Sequence, residues 1–248
     1  MRNPIRRNRK IGTRWQGRGK NNRHLIPWPA ATDRFFFERL GKYQREIRQI
    51  HGRSFVFVIE ENRTGSLHTC SVDEVASVLA LVPPKDLEAL SLVVFRQPTR
   101  RQEVLSPVWG RLIYNFDFEG FAQPAIILEA ISLNAKLTRS SRQGPEEQAE
   151  FQRLLDDGHL FKRKGNYFIA PLVAEACRRT QLYRTLPHEI GHYVHYLQEV
   201  QRPNQFDASA DGYFESVETY FGLPAKEHEA FAHRYVEEFK LRLGDMSP

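Results

Sequence analysis

Residues 186–200 read LPHEIGHYVHYLQEV, and His188, Glu189 and His192 form an HExxH pattern within them. In a helix each residue turns about 100° and rises about 1.5 Å, so histidines four apart share a face, about 6 Å apart along the axis. Both imidazoles can then reach one ion. Glu189 lies about 100° round from His188, which suits it to a water beside the ion rather than to the ion itself. Two neutral imidazoles suit zinc, and a zinc-bound water next to a carboxylate base is a hydrolytic arrangement.

The flanks support a helix. Pro187 stands where one would begin, with Thr185 as its expected N-cap. Ile190, Val194 and Leu197 make an apolar side; His188, His192, His195 and Glu199 fall opposite. One face is expected to anchor in a core and the other to present ligands.

Working outward, the pattern predicts a helix over 33–50 from Phe36, Leu40, Tyr43, Ile47 and Ile50. Strands are expected at 54–60, 92–95, 108–116 and 125–131, the last nearly all apolar and therefore central. Helices are expected at 72–82, 85–90, 145–157, 172–183, 186–200, 209–221 and 225–243. A hairpin is predicted from 160–163 and 166–170 around Lys164-Gly165. Strands concentrate before the motif and helices after it. This order predicts one α+β domain over 33–248, with a sheet-rich lobe to about 171, a helical lobe from about 172, and the sheet covering the motif helix.

The chain has 248 residues, 41% hydrophobic and 27% charged, as in an ordinary globular protein. No apolar run reaches the roughly 18 residues that a membrane span needs, and no signal-peptide pattern is visible. Cys70 and Cys177 stand far apart without a CxxC pattern, which predicts two small buried residues and a cytoplasmic, reducing location. Net charge is +6, yet residues 1–32 hold nine Arg and Lys and no acid, leaving −3 on the remaining 216. That basic stretch is expected to be a tail, disordered or extended, and a possible contact for nucleic acid.

With its helical flanks, the HEIGH stretch resembles the zincin metallopeptidases, and Gly191 matches the small residue common in that motif. Lys226-Glu227-His228-Glu229-Ala230-Phe231-Ala232 is similar to the segment in which gluzincin-type enzymes carry a third zinc ligand. The resemblance covers roughly residues 160–243. It implies a zincin-like α+β fold, with a mixed N-terminal sheet and helices packed over the motif helix. It also implies Zn²⁺ held by His188, His192 and Glu229, and Glu189 as general base. A tyrosine, Tyr220 or Tyr213, would sit where the oxyanion forms, and a sheet edge would hold extended protein or peptide substrate, for which strand 166–170 is the choice. The metzincin pattern fails, because Gln198 stands where its third histidine would be.

Helical phase leaves the third ligand open. His228 points into the middle of the last helix's apolar arc through Phe231, Tyr235, Val236, Phe239 and Leu243, and Glu229 lies at its edge. His228, Glu215 and Glu218 therefore remain alternatives to Glu229. His195 reads as a supporting residue, since a ligand three residues past His192 would crowd the ion. Two functions follow. One is a zinc-dependent peptidase; the other is a nucleic-acid-associated interaction protein with a structural or vestigial zinc site.

Overall fold

The computed structural model describes residues 39–105, 108–205 and 210–245. The basic stretch 1–32 lies outside them. Leu40–Pro248 forms one compact unit.

The architecture is mixed α+β. Among the described residues ten strands form three sheets: β1 (Tyr43–Ile50), β2 (Arg53–Glu60), β3 (Ser66–Leu67), β4 (Leu92–Arg96), β5 (Gly110–Phe118), β6 (Phe121–Glu129), β7 (Ile131–Ser132), β8 (Lys136–Ser140), β9 (Lys162–Lys164) and β10 (Tyr167–Pro171). The main sheet has order β1-β2-β4-β6-β5, parallel at β2/β4 and β4/β6 and antiparallel at both edges. A second sheet has order β8-β10-β9, and β3 pairs with β7. Every residue of β4 is buried, as is the Ala125–Glu129 half of β6. Strands covered on both faces read as continuous apolar runs rather than alternating ones.

The expected helix over 33–50 is corrected at its C-terminal half, where Tyr43–Ile50 is β1; residues 33–38 lie outside the described part. The hairpin turn decides it. Ile50 pairs with Arg53, so His51-Gly52 is a two-residue loop, and both have positive φ, 50° and 72°. That is the turn whose twist matches antiparallel strands. Ile47, assigned to the apolar helical face, is 59% exposed on the strand.

The helices are α1 (Val72–Ala80), α2 (Arg100–Leu105), α3 (Pro145–Asp156), α4 (Ala174–Thr180), α5 (Leu186–Tyr196), α6 (Ala210–Gly222) and α7 (Ala225–Asp245). Ser71 and Glu74 close a capping box at the start of α1. The segment expected as a helix at 85–90 is a 3-10 turn at Pro84–Leu87, and α2, β3, β7 and β8 have no counterpart in the sequence-based expectation.

The start of the motif helix also differs from expectation. Thr185 is helical (φ −64°, ψ −52°) and makes no capping bond. Helix α4 instead runs through a wide π-turn, Gln181–Thr185, directly into α5. In it, Leu186 N–H reaches back to Gln181 O. The wide turn admits Pro187, which cannot donate, without ending the helix.

Gln181 ties this turn to the sheet. Its buried amide donates to Trp109 O (2.9 Å) and Glu129 O (2.8 Å), and its oxygen accepts from Thr69. Gly110 sits in the same junction, where an added Cβ would lie 2.6 Å from Ile127 O and 2.9 Å from the Thr185 methyl. The first residues of β5 are thereby held against the start of the motif helix. On the other side of α5, Ile190, Val194 and Leu197 enter the main core with Phe57, Val93, Ile126 and Phe239. Each such side chain contributes roughly 1.5–3 kcal/mol on burial.

Candidate metal centre and cleft

Helix α5 presents His188 and His192 on one face, with their Nε2 atoms 3.1 Å apart. Helix α7 brings Glu229 opposite them. His188 Nε2 lies 3.4 Å from Glu229 Oε2, and His192 Nε2 lies 3.6 Å from Glu229 Oε1. One ligand atom from each of the three lies within 4.8 Å of the others. Zinc–nitrogen bonds of about 2.0–2.1 Å place neighbouring tetrahedral ligands roughly 3.4 Å apart. Two imidazoles and a carboxylate at these separations fit a zinc ion in donor chemistry and in spacing.

Close approach of α5 and α7 depends on Gly191. An added Cβ there would lie 2.9 Å from Ala232 Cα and 3.0 Å from Tyr235 Cβ. Glycine on one helix and a fully buried alanine on the other let the two backbones meet, which sets Glu229 across from the histidines. The His188 and His192 rings beside it hold the Glu229 carboxyl well below the usual carboxylate range.

Glu189 faces the strand wall. Leu112 N–H on β5 donates to its Oε2 at 2.7 Å. Burial pushes its pKa up, although His188, His192 and the Leu112 N–H act the other way. β5 is an edge strand of the main sheet, so this N–H points off the sheet into the cleft.

An open cleft of about 400 Å³ lies between the two walls, lined by Arg111, Leu112 and Tyr114 from β5 and by the motif residues, Tyr220, Phe221, His228 and Glu229 from the helices. Arg111 is anchored 3.1 Å from the buried Glu129 carboxylate, which also binds Arg96 at 2.9 Å. Tyr220 is 1% exposed. Its hydroxyl lies 2.9 Å from the Tyr114 hydroxyl and donates to His192 O at 3.4 Å. Burial raises the pKa of both tyrosines, so both stay protonated at neutral pH.

The remaining sequence candidates fall elsewhere. His228 lies at the cleft wall with its ring edge-on to Tyr220 (4.6 Å) and 5.3 Å from His195, outside the three-ligand group. Glu215 lines a separate pocket with Glu199, and Glu218 is exposed on α6; neither joins the group. Tyr213 pairs its hydroxyl with Tyr196 at 3.1 Å. His195 is buried and stacks on Phe231 at 4.4 Å. Strand 166–170, expected to hold substrate, is the central strand of its sheet with both edges paired, so it has no edge to offer; β5 is the edge at the site.

Four features escaped sequence reading: the Leu112 N–H, Arg111, Tyr114 and His233. His233 lies 4.0 Å from Glu229 Oε2 and 4.9 Å, ring to ring, from His188. Only His233 had a local signal, its position four residues after Glu229 on α7. Both cysteines are buried, and burial raises each thiol pKa to about 12. No helix among the described residues is long and apolar enough to cross a membrane. Comparison with known proteins finds no matching family model, curated protein or solved structure.

Proposed function

We propose that this protein is a zinc-dependent peptidase of zincin-like fold. The observation that carries the reading is the convergence of His188, His192 and Glu229 beside Glu189, on the floor of an open cleft. A structural zinc site would be closed by a fourth protein ligand; the three-ligand group here faces solvent. When bound, zinc would polarise the scissile carbonyl and activate a water.

The chain's own groups supply the rest. Glu189 Oε2 is engaged by Leu112 N–H, which leaves Oε1 to take a proton from the attacking water and pass it to the leaving amine. The outward edge of β5 would pair with an extended peptide as an added strand. Tyr114 donates its one O–H proton to Tyr220, whose own proton goes to His192 O, and would swing that proton to the developing oxyanion. Arg111 adds a fixed positive charge at the β5 end of the cleft.

The test is zinc content and peptide-library cleavage of wild type beside Glu189→Gln. The variant is expected to keep about one zinc per chain and its fold, and to lose roughly 100-fold or more in rate. Equal cleavage by both proteins removes Glu189 from the mechanism. Absence of zinc from wild type purified without chelator removes the metal.

A further inference from the structure

The second sheet carries a charge pattern the metal site does not use. Residues 136–144 and 159–173 supply its strands and contain Lys136, Arg139, Arg142, Lys162, Arg163 and Lys164, and no acid. They hold +6, while residues 33–248 as a whole carry −3, so the remainder of that region carries −9.

Register sorts these residues onto two faces, because directly paired residues in an antiparallel sheet point the same way. One face holds the row Lys164, Tyr167, Ser140, then Lys162, Ile169, Thr138, then Pro171 and Lys136. The other holds Phe168, which packs 4.9 Å from Phe151 of α3, with Leu137, Arg139 and Ala170. The first face is open: apart from half-buried Ile169, every residue on it is exposed, and Tyr167 is 53% exposed.

Its lysines differ from the arginines that tie the fold together. Arg48, Arg63, Arg96, Arg111, Arg153, Arg178 and Arg184 each meet a carboxylate. Lys136, Lys162 and Lys164 meet none among the described residues. Of the acids on and just after α3, Glu150 and Asp157 hold Arg184, and Glu147 caps its own helix at Gly144.

We infer that this face binds single-stranded RNA. The central strand offers Tyr167 as a platform on which a base can stack, and every base has a π-face. Lys162 and Lys164, about 6.7 Å apart along β9, flank it on one side as phosphate contacts, and Lys136 at the far end of the same face is a third. Thr138 and Ser140 flank it on the other with exposed hydroxyls suited to a ribose 2′-hydroxyl. Three lysines alone hold an anionic membrane only weakly, at about 1 kcal/mol each, and the aliphatic Ile169 of this face is half-buried in the middle of the sheet. This inference does not depend on the metal site.

The test titrates the full chain with labelled oligouridylate over a range of salt. It compares wild type with Lys136→Gln/Lys162→Gln/Lys164→Gln and with Tyr167→Ala. Single-strand binding loses about 0.7 in log–log salt slope per phosphate contact, so the triple variant is expected to bind more weakly with a slope shallower by about 2. Tyr167→Ala is expected to weaken binding about tenfold at unchanged slope. All substituted side chains are exposed, and unchanged thermal melting verifies the fold. Photocrosslinking with a thiouridine probe is expected to label the 162–171 peptide. Unaltered affinity and slope in the triple variant, or crosslinks confined to residues 1–32, overturns the inference. Equal binding of oligothymidylate overturns the assignment to RNA. Face-dependent binding of phosphatidylserine vesicles without RNA binding gives the face to membrane, and equal competition by polyglutamate reduces it to unspecific charge.

Discussion

The two walls of the cleft are built from different materials. The helical wall gives side chains: His188 and His192 from one turn of α5, and Glu229 from α7 across a glycine contact. The strand wall gives chiefly a backbone N–H, from Leu112 to Glu189, and only then the side chains of Arg111 and Tyr114. A ligand side chain leaves its identity and spacing in the sequence. A main-chain donor exists at every residue except proline, so nothing at Leu112 marks it until the sheet edge is placed against the helix.

The helical wall is broken most severely at Glu229. Residues around a metal site that only orient its ligands typically cost 10–100-fold in affinity when removed. Loss of a ligand is expected to exceed that, so Glu229→Ala should weaken zinc binding more than about 100-fold. His228→Ala, which removes a ring packed on Tyr220 and His195, should cost less than about tenfold. Competition with a chromogenic chelator measures both. If His228→Ala releases the metal and Glu229→Ala retains it, helical phase was the better guide and α7 is turned differently in the zinc-bound protein.

The strand wall is tested at Tyr114. Removing one oxyanion donor typically costs about 100-fold or more in kcat. Tyr114→Phe should approach that loss with zinc content unchanged and KM little altered. A variant with wild-type kcat would leave β5 with a role in holding Glu189 and substrate alone.

Much of the main sheet was legible because its strands are buried on both faces: β4 and the end of β6 stand out as apolar runs. The motif helix was legible because its core face repeats at helical spacing. β1 was misread because Tyr43, Ile47 and Ile50 also fit a helix, and the His51-Gly52 turn that overrides this acts between strands rather than along one. The second sheet was half legible. The β9–β10 hairpin announces itself at Gly165, whereas β8 lies over twenty residues earlier, and its pairing is a tertiary fact. Chain order, not composition, hid the sheet edge that faces the site. β5 precedes the motif by about seventy residues, and only the sheet order makes it terminal.

Gly191 measures how far the helical wall depends on packing rather than on ligand identity. A methyl group there meets Ala232 Cα and Tyr235 Cβ, backbone and stem atoms that cannot swing aside as the end of a flexible side chain would. Overpacking of this kind typically costs 1–3 kcal/mol. Gly191→Ala should lower Tm, and by pushing α7 away it should weaken zinc binding although no ligand has changed. Retained stability and retained affinity together would show that the two helices separate at little cost.

The smallest effect is expected where the walls touch. Tyr220 stands on α6, yet its hydroxyl meets Tyr114 of the strand wall at 2.9 Å and the His192 carbonyl of the helical wall at 3.4 Å. The sequence offered Tyr220 as the hydroxyl that would face the reaction; its ring is buried and its oxygen already has two partners. Its contribution is then to hold Tyr114, which reaches the cleft directly. Tyr220→Phe keeps the ring and its packing against Tyr196 and His228 and deletes one hydroxyl. A net hydrogen bond is worth about 1 kcal/mol, so stability should fall by about that much and kcat by less than about tenfold. Combined with Tyr114→Phe, it should add almost nothing to the loss in kcat, because residues that act through one another are not additive. If Tyr220→Phe alone costs as much as Tyr114→Phe and the double variant costs the product of the two, Tyr220 acts on the substrate in its own right.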